Sequence, residues 1–183
     1  MNFAELTQSR RTVHNYKTTH VEDHFVEEAL HLSLWAPNHK LTFPWAFFWL
    51  GPRVRAEMAN LTVRVKELKE PLSEIKKKAT RENVLNPSHL ILLGLRRGDP
   101  KRLHEDYATL ACSVQIMTTY FWEKGIGSKW SSGENYGHAE TYKLLGISSE
   151  EFSLEGALLI GVPQIIPAAP KRPPLERYLR RTD

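Results

Sequence analysis

Apolar residues at Phe25, Ala29, Leu32 and Ala36 recur every three or four positions, the spacing that lines one face of a helix. The pattern predicts an amphipathic helix over Val21 to Trp35, ended by Pro37, because the residue before a proline is driven out of the helical region. The same periodicity is strongest over Leu103 to Lys124, where Tyr107, Leu110, Ala111, Val114, Met117, Thr118 and Phe121 share a stripe and Gly125 stands at the stop. A long central helix is expected there. Short apolar runs bounded by Gly and Pro read instead as buried strands: Trp45 to Leu50, His89 to Leu95, Ile126 to Trp130 and Gly156 to Gly161. Phe3 to Gln8, Arg53 to Lys69, Pro71 to Arg81 and Glu134 to Leu145 complete the expected helices, and polar Ser9 to Thr19 reads as a surface loop. Val162 to Asp183, with prolines at 163, 167, 170, 173 and 174, must be extended and is expected to wrap over something.

Helices and strands do not alternate as in a doubly wound fold, and there is no internal repeat. An α+β domain occupying residues 1–183, with one mixed sheet around a long helix, fits the order of elements. The length of 183 residues and a hydrophobic fraction of 41% suit one compact core. Leu154 to Ile166 is interrupted by Glu155, Gly156, Pro163 and Gln164 and is shorter than the ~20 residues of a membrane-spanning helix. Met1 to Arg11 lacks the layout of a secretory signal. A cytoplasmic location is expected, and the single cysteine, Cys112, is read as a buried structural thiol.

A net charge of +4 permits anionic partners without naming one: nucleic acid, a nucleotide cofactor and mere solubility all stay open. The densest basic cluster, Lys76, Lys77, Lys78 and Arg81, is interleaved with Glu67, Glu70, Glu74 and Glu82 and reads as a solvated helical face. A nucleic-acid site is disfavoured because basic and aromatic residues do not share one face.

Several familiar chemistries have no support. Gly125-Ile126-Gly127 places Trp130 where a dinucleotide fingerprint needs its third glycine, and it follows a helix rather than a strand. Ser131-Ser132-Gly133 lacks the glycine two residues before a nucleophilic serine. His20 and His24 are spaced to clip a metal around Asp23 but offer no obvious third ligand, so they read as surface residues and no metal is expected.

Three stretches make sense together for an anionic, planar, aromatic ligand. Ser9-Arg10-Arg11-Thr12 sets two guanidinium forks beside a hydroxyl, groups suited to a phosphate. Ala36-Pro37-Asn38-His39-Lys40 ends a helix in polar side chains able to reach a heteroaromatic edge, and Gly125 to Gly133 combines glycines, an aromatic face and hydroxyl donors. Their order resembles the FMN-dependent nitroreductases, especially the short bacterial members. That family opens with Ser-Arg-Arg-Ser-x-Arg-x-Phe, matched by Ser9-Arg10-Arg11-Thr12-Val13-His14-Asn15-Tyr16. Ala36-Pro37-Asn38-His39, Pro44-Trp45, Gly125 to Gly133 and Lys171-Arg172-Pro173-Pro174-Leu175-Glu176 match its later motifs in order.

The resemblance implies a nitroreductase-like fold, with a mainly antiparallel sheet of about four strands flanked by helices. It also implies a homodimer whose extended C-terminal tail is swapped onto the partner and whose FMN lies at the subunit interface. Arg10 and Thr12 would hold the flavin phosphate and ribityl chain, Arg11 would lie alongside, and Arg172 would add a positive charge. Trp35, Pro37, Asn38 and His39 would reach the cofactor from the other subunit, while Trp130, Ser131 and Ser132 would close over the ring or its ribityl side. The implied reaction is ping-pong hydride transfer through flavin N5, from NADH or NADPH to a small acceptor such as a nitroaromatic or quinone, so no side-chain nucleophile is needed. His39 and Lys40 are the candidates for tuning the flavin. His14, Trp35 and Ser131 replace cations usual in the family, which leaves room for a flavin-binding or flavin-sensing protein without turnover.

Overall fold

The computed structural model describes residues 1–182. Helix α1 (Phe3–Ser9) is short and depends on its cap, where the Asn2 side chain accepts from the Glu5 amide and the Glu5 carboxylate accepts from the Asn2 amide. Then follow α2 (Asp23–Ser33), β1 (Trp45–Trp49), α3 (Pro52–Glu67), α4 (Glu74–Leu85), β2 (His89–Arg96), α5 (Leu103–Glu123), β3 (Gly127–Ser131), α6 (Ala139–Leu145) and β4 (Phe152–Gly161). The expected α+β architecture is present, and no helix of the described residues is long and apolar enough to cross a membrane.

The four strands form one sheet in the order β1-β2-β4-β3, every neighbouring pair antiparallel. The expected mixture of directions is therefore corrected: the parallel element is an isolated bridge between Thr12 and Ser128. Strand β2 explains its own sequence. Leu90 and Leu92 pack with Met58, Leu61, Val65 and Val84 of α3 and α4, whereas Ile91, Leu93 and Leu95 face Leu110, Val114, Met117 and Phe121 of α5. A strand covered on both faces has no polar side to show, and each fully buried side chain stabilises the fold by roughly 1.5–3 kcal/mol.

Other expectations need local correction. Ser9 to Thr19 is not wholly a surface loop, because Val13 and Tyr16 are buried in the core beside β4. Helix α4 starts at Glu74 rather than Pro71, where the Ser73 hydroxyl accepts from the Lys76 amide. Helix α6 starts at Ala139 rather than Glu134, since Asn135 is buried with its amide donating to Thr62 and its carbonyl accepting from Thr141. Strand β4 begins at Phe152 rather than Gly156, its register with β2 shifted by a bulge at Leu93/Gly94. Cys112 is exposed, not buried, because it lies on the side of α5 turned away from the sheet.

The N-terminal segment is tied to the sheet edge. Val13 donates its amide to Ser128 O (3.0 Å), Lys17 donates to Val162 O (2.9 Å), and Gln164 donates to Asn15 O (2.9 Å). Gly127 permits this approach: a Cβ there would come within 2.7 Å of Val13 Cγ2 and 2.9 Å of Pro163 Cγ. From 164 to 182 the chain has no strand or α-helix and is mostly exposed, with one tight turn at Leu175–Arg177.

Candidate functional site

Arg10 caps the end of α1, and Arg11 and Thr12 follow in the segment held against β3. Arg10 is partly buried, and Arg11 and Arg172 lie close enough for their charges to add to that burial in pushing its guanidinium below its ordinary pKa. Residues 162 positions apart in sequence, Arg10 and Arg172, thus converge. Among the described residues the arginine ion pairs involve Arg64, Arg96 and Arg102, so no carboxylate neutralises the cluster. The three members differ. Arg11 turns back to donate to Gln8 O (2.6 Å) and Arg10 O (2.8 Å), whereas Arg10 and Arg172 have no such side-chain bond among the described residues. With no paired carboxylate among the described residues, these guanidiniums and Thr12, two residues after Arg10, offer a donor set of the kind that fits a dianionic phosphate.

From this cluster the chain runs extended past Thr12 to His14, where a cavity of about 150 Å³ opens. No arginine lines this cavity, so the cluster and the cavity are neighbouring features on one stretch of chain. The cavity's lining includes His14, Lys66, Lys129, Ser131 and the phenol of Tyr136. Lys66 Nζ donates to Thr80 Oγ1 (3.2 Å). Burial pushes the Tyr136 pKa up, so its hydroxyl stays protonated at neutral pH. Lys66 and Lys129 were not among the candidates read from the sequence. Their signal, a lone lysine on a polar helix and another within a strand, is indistinguishable from surface charge until the fold brings them together.

Trp130 and Ser131 were expected to act together, but the alternation of β3 sends them to opposite faces. Ser131 lines the small cavity, and Trp130 packs on the α5 side, its ring 6.4 Å from that of Tyr107. Ser132 follows the strand and is exposed. The indole N–H of Trp130 is buried and has no hydrogen-bond partner among the described residues.

The segment after α2 forms a separate, protruding feature. Trp35 is 84% exposed, with Leu41 and Phe43 also open to solvent, and Pro37 and His39 are exposed beside them. Lys40, Leu41 and Phe43 all have positive φ (58°, 53° and 47°), a region that costs a non-glycine residue roughly 1–2 kcal/mol. Asn38 holds the loop: its Oδ1 accepts from the Phe43 amide (2.8 Å) and its Nδ2 donates to Thr42 Oγ1 (2.9 Å). Thr42 in turn donates to the buried Asp106 of α5 (2.6 Å), and Thr109 donates to Pro37 O (3.0 Å). His39 Nε2 lies 3.9 Å from Glu105. Within one chain none of these residues lines the cavity beside His14.

A larger cleft of about 560 Å³ lies elsewhere, lined by His20, Asp23, Trp49, Pro52, Arg55 and His89. Its arginine is committed, because Arg55 donates to the carbonyls of Val84, Leu85, Pro87 and Ser88. Size alone does not make it the phosphate site.

The sequence profile of the "Nitroreductase family" matches residues 7–162. YfhC of Bacillus subtilis (strain 168), named as a candidate NAD(P)H nitroreductase, is 25% identical over 174 residues, covering 93% of this chain and 89% of its own. The crystal structure of a nitroreductase-like family protein from Bacillus cereus superposes with a TM-score of 0.86 at 22% identity, over 100% of this chain and 97% of that one. A candidate nitroreductase from Desulfovibrio desulfuricans, solved in complex with FMN, gives a TM-score of 0.79 at 22% identity, over 100% and 99% of the two chains. With both structures the shared property is the fold.

Proposed function

This chain belongs to the nitroreductase family, and from that premise we propose that it is an FMN-dependent NAD(P)H oxidoreductase working as a homodimer with a flavin at each subunit interface. The observation that carries the reading is the meeting of Arg10, Arg11 and Arg172 with no neutralising carboxylate among the described residues. Arg10 and Arg172 take the cofactor phosphate, with Arg11 alongside, and the Thr12 hydroxyl faces the ribityl chain. His14, Lys66, Lys129 and Ser131, which line one cavity, would hold the polar edge of the ring system. Cations at that edge favour the anionic reduced cofactor, which moves the tuning role from His39 and Lys40 to Lys66 and Lys129. When bound, FMN supplies a two-electron relay that accepts hydride from NAD(P)H and passes it to a nitroaromatic, quinone or similar small acceptor in alternate turns.

Dimerisation is supported by what a lone chain leaves open. Trp35, Leu41 and Phe43 on one side, and Ile165, Ile166, Leu175, Tyr178 and Leu179 of the tail, are exposed apolar residues beyond what a monomer of this size needs to show. The partner's tail embraces this subunit, while Trp35, Pro37, Asn38 and His39 complete the neighbouring flavin pocket. Trp130 braces β3 from behind through Tyr107, leaving Ser131 and Ser132 on the cofactor side.

Purified protein is expected to be yellow, to hold about one FMN per chain, and to oxidise NADH or NADPH steadily when a nitroaromatic or quinone is added. Colourless protein that ignores added FMN overturns the proposal. Stoichiometric flavin without NAD(P)H oxidation returns the reading to flavin storage or sensing.

A further inference from the structure

The fold builds a second cluster that the flavin chemistry does not use. His20 and Asp23 precede and open α2, and His89 begins β2, 66 positions further along the chain. His20 Nε2 lies 3.5 Å from Asp23 Oδ1, and His89 Nε2 lies 3.8 Å from the same oxygen. One donor atom from each residue falls within 4.8 Å of the others. The Val21 carbonyl, 2.7 Å from His89 Nε2, accepts the hydrogen bond of that ring nitrogen. The sequence pairs His20 with His24, yet His24 is not part of the group. The third ligand that the sequence lacks is supplied by the strand.

We propose that His20, Asp23 and His89 form a binding site for a late first-row divalent cation, Zn²⁺ in the first place, at the edge of the 560 Å³ cleft. Two imidazoles and a carboxylate are the donors that zinc and its neighbours select over magnesium or calcium. Zinc bonds of ~2.0–2.1 Å in tetrahedral array place ligand atoms ~3.3 Å apart, so the observed separations need only small closure. His20 and Asp23 are exposed and free to make it, while His89 is buried and held by its ring contact with Trp49 at 5.2 Å between centroids. On metal uptake the Nε2–H···O=C bond to Val21 gives way to a metal bond from the same nitrogen, its proton moving to Nδ1. With three side-chain ligands, a remaining coordination position faces the cleft and is open to water or a small anionic ligand. The ion also ties the start of α2 to the central strand, which stiffens the route from the arginine segment to the Trp35 loop.

The test is equilibrium dialysis of the tag-free, flavin-loaded protein against Zn²⁺, with bound metal counted per chain, repeated for His20→Gln, Asp23→Asn and His89→Asn. The expected result is one Zn²⁺ per chain, with affinity at least tenfold weaker in each variant and unchanged in His24→Gln and His104→Gln. Mg²⁺ should not compete. Because His20 and Asp23 are exposed, their variants keep the fold even if His89→Asn does not, and circular dichroism checks this. No stoichiometric Zn²⁺ in the parent protein, or equal binding in His20→Gln and Asp23→Asn, overturns the proposal.

Discussion

Gly127→Ala isolates the contact that places the phosphate-binding segment. The added Cβ would sit 2.7 Å from Val13 Cγ2, 2.9 Å from Val13 Cβ and 2.9 Å from Pro163 Cγ, against ~3.5–4.0 Å for comfortable carbon contacts. Both neighbours must therefore retreat by ~0.6–1.3 Å. Val13 is fully buried and its amide is bonded to Ser128, so it cannot yield without disturbing that bond. Overpacking of this kind costs ~1–3 kcal/mol, and the variant is expected to lose that much in urea unfolding of the flavin-free protein. Because Arg10 and Thr12 lie on the displaced segment, FMN affinity measured by fluorescence titration should fall about tenfold, one charge-assisted bond's worth. Gly51→Ala, with nothing within 4 Å of the new methyl, is the control and should leave affinity unchanged. Parental stability and FMN affinity in Gly127→Ala would refute the claim that this close approach positions the site.

Three further outcomes are expected. Asn38→Ala removes two hydrogen bonds that hold three left-handed residues in place, and at ~1 kcal/mol each it should destabilise the protein by about 2 kcal/mol and speed proteolysis within residues 38–43. Tyr16 donates to Val13 O (2.8 Å) and Leu159 O (3.2 Å), and burial followed by the nearby Tyr136 raises its pKa; its contribution is whole below the ordinary phenol value of ~10 and is lost as pH rises toward the raised folded value. Urea midpoints between pH 8 and 11 should thus fall for the parent protein and fall less for Tyr16→Phe. Removal of residues 164–183 should convert a sedimenting dimer into a monomer and release the flavin, whereas an undiminished dimer would show that the tail is not part of the interface.

The elements were legible wherever one physical signal dominated. The helix α5 stripe and the apolar run of β2 announce themselves, since burial on one or both faces writes directly into periodicity. Helix starts were harder: α4 and α6 begin where Ser73 and His138 cap them, later than composition suggests. The burial of Val13 and Tyr16 within a polar stretch is a tertiary effect, produced by pairing with Ser128 and Pro163. The exposure of Cys112 follows from which side of a helix meets the sheet. Arg10 and Arg172 could be linked only through a family resemblance, and Lys66, Lys129 and His89 had no sequence signal, because their partners lie on other elements.

The sharpest test compares FMN with riboflavin, which differ by the phosphate alone. If the arginines from both ends of the chain receive that phosphate, the flavin-free protein should bind FMN at least ~100-fold more tightly, two charge-assisted interactions at the lower end of their range. In Arg10→Ala, Arg172→Ala the preference should collapse toward unity while riboflavin affinity holds. Equal affinity for the two flavins in the parent protein, or an undiminished preference in the double variant, would contradict the assignment.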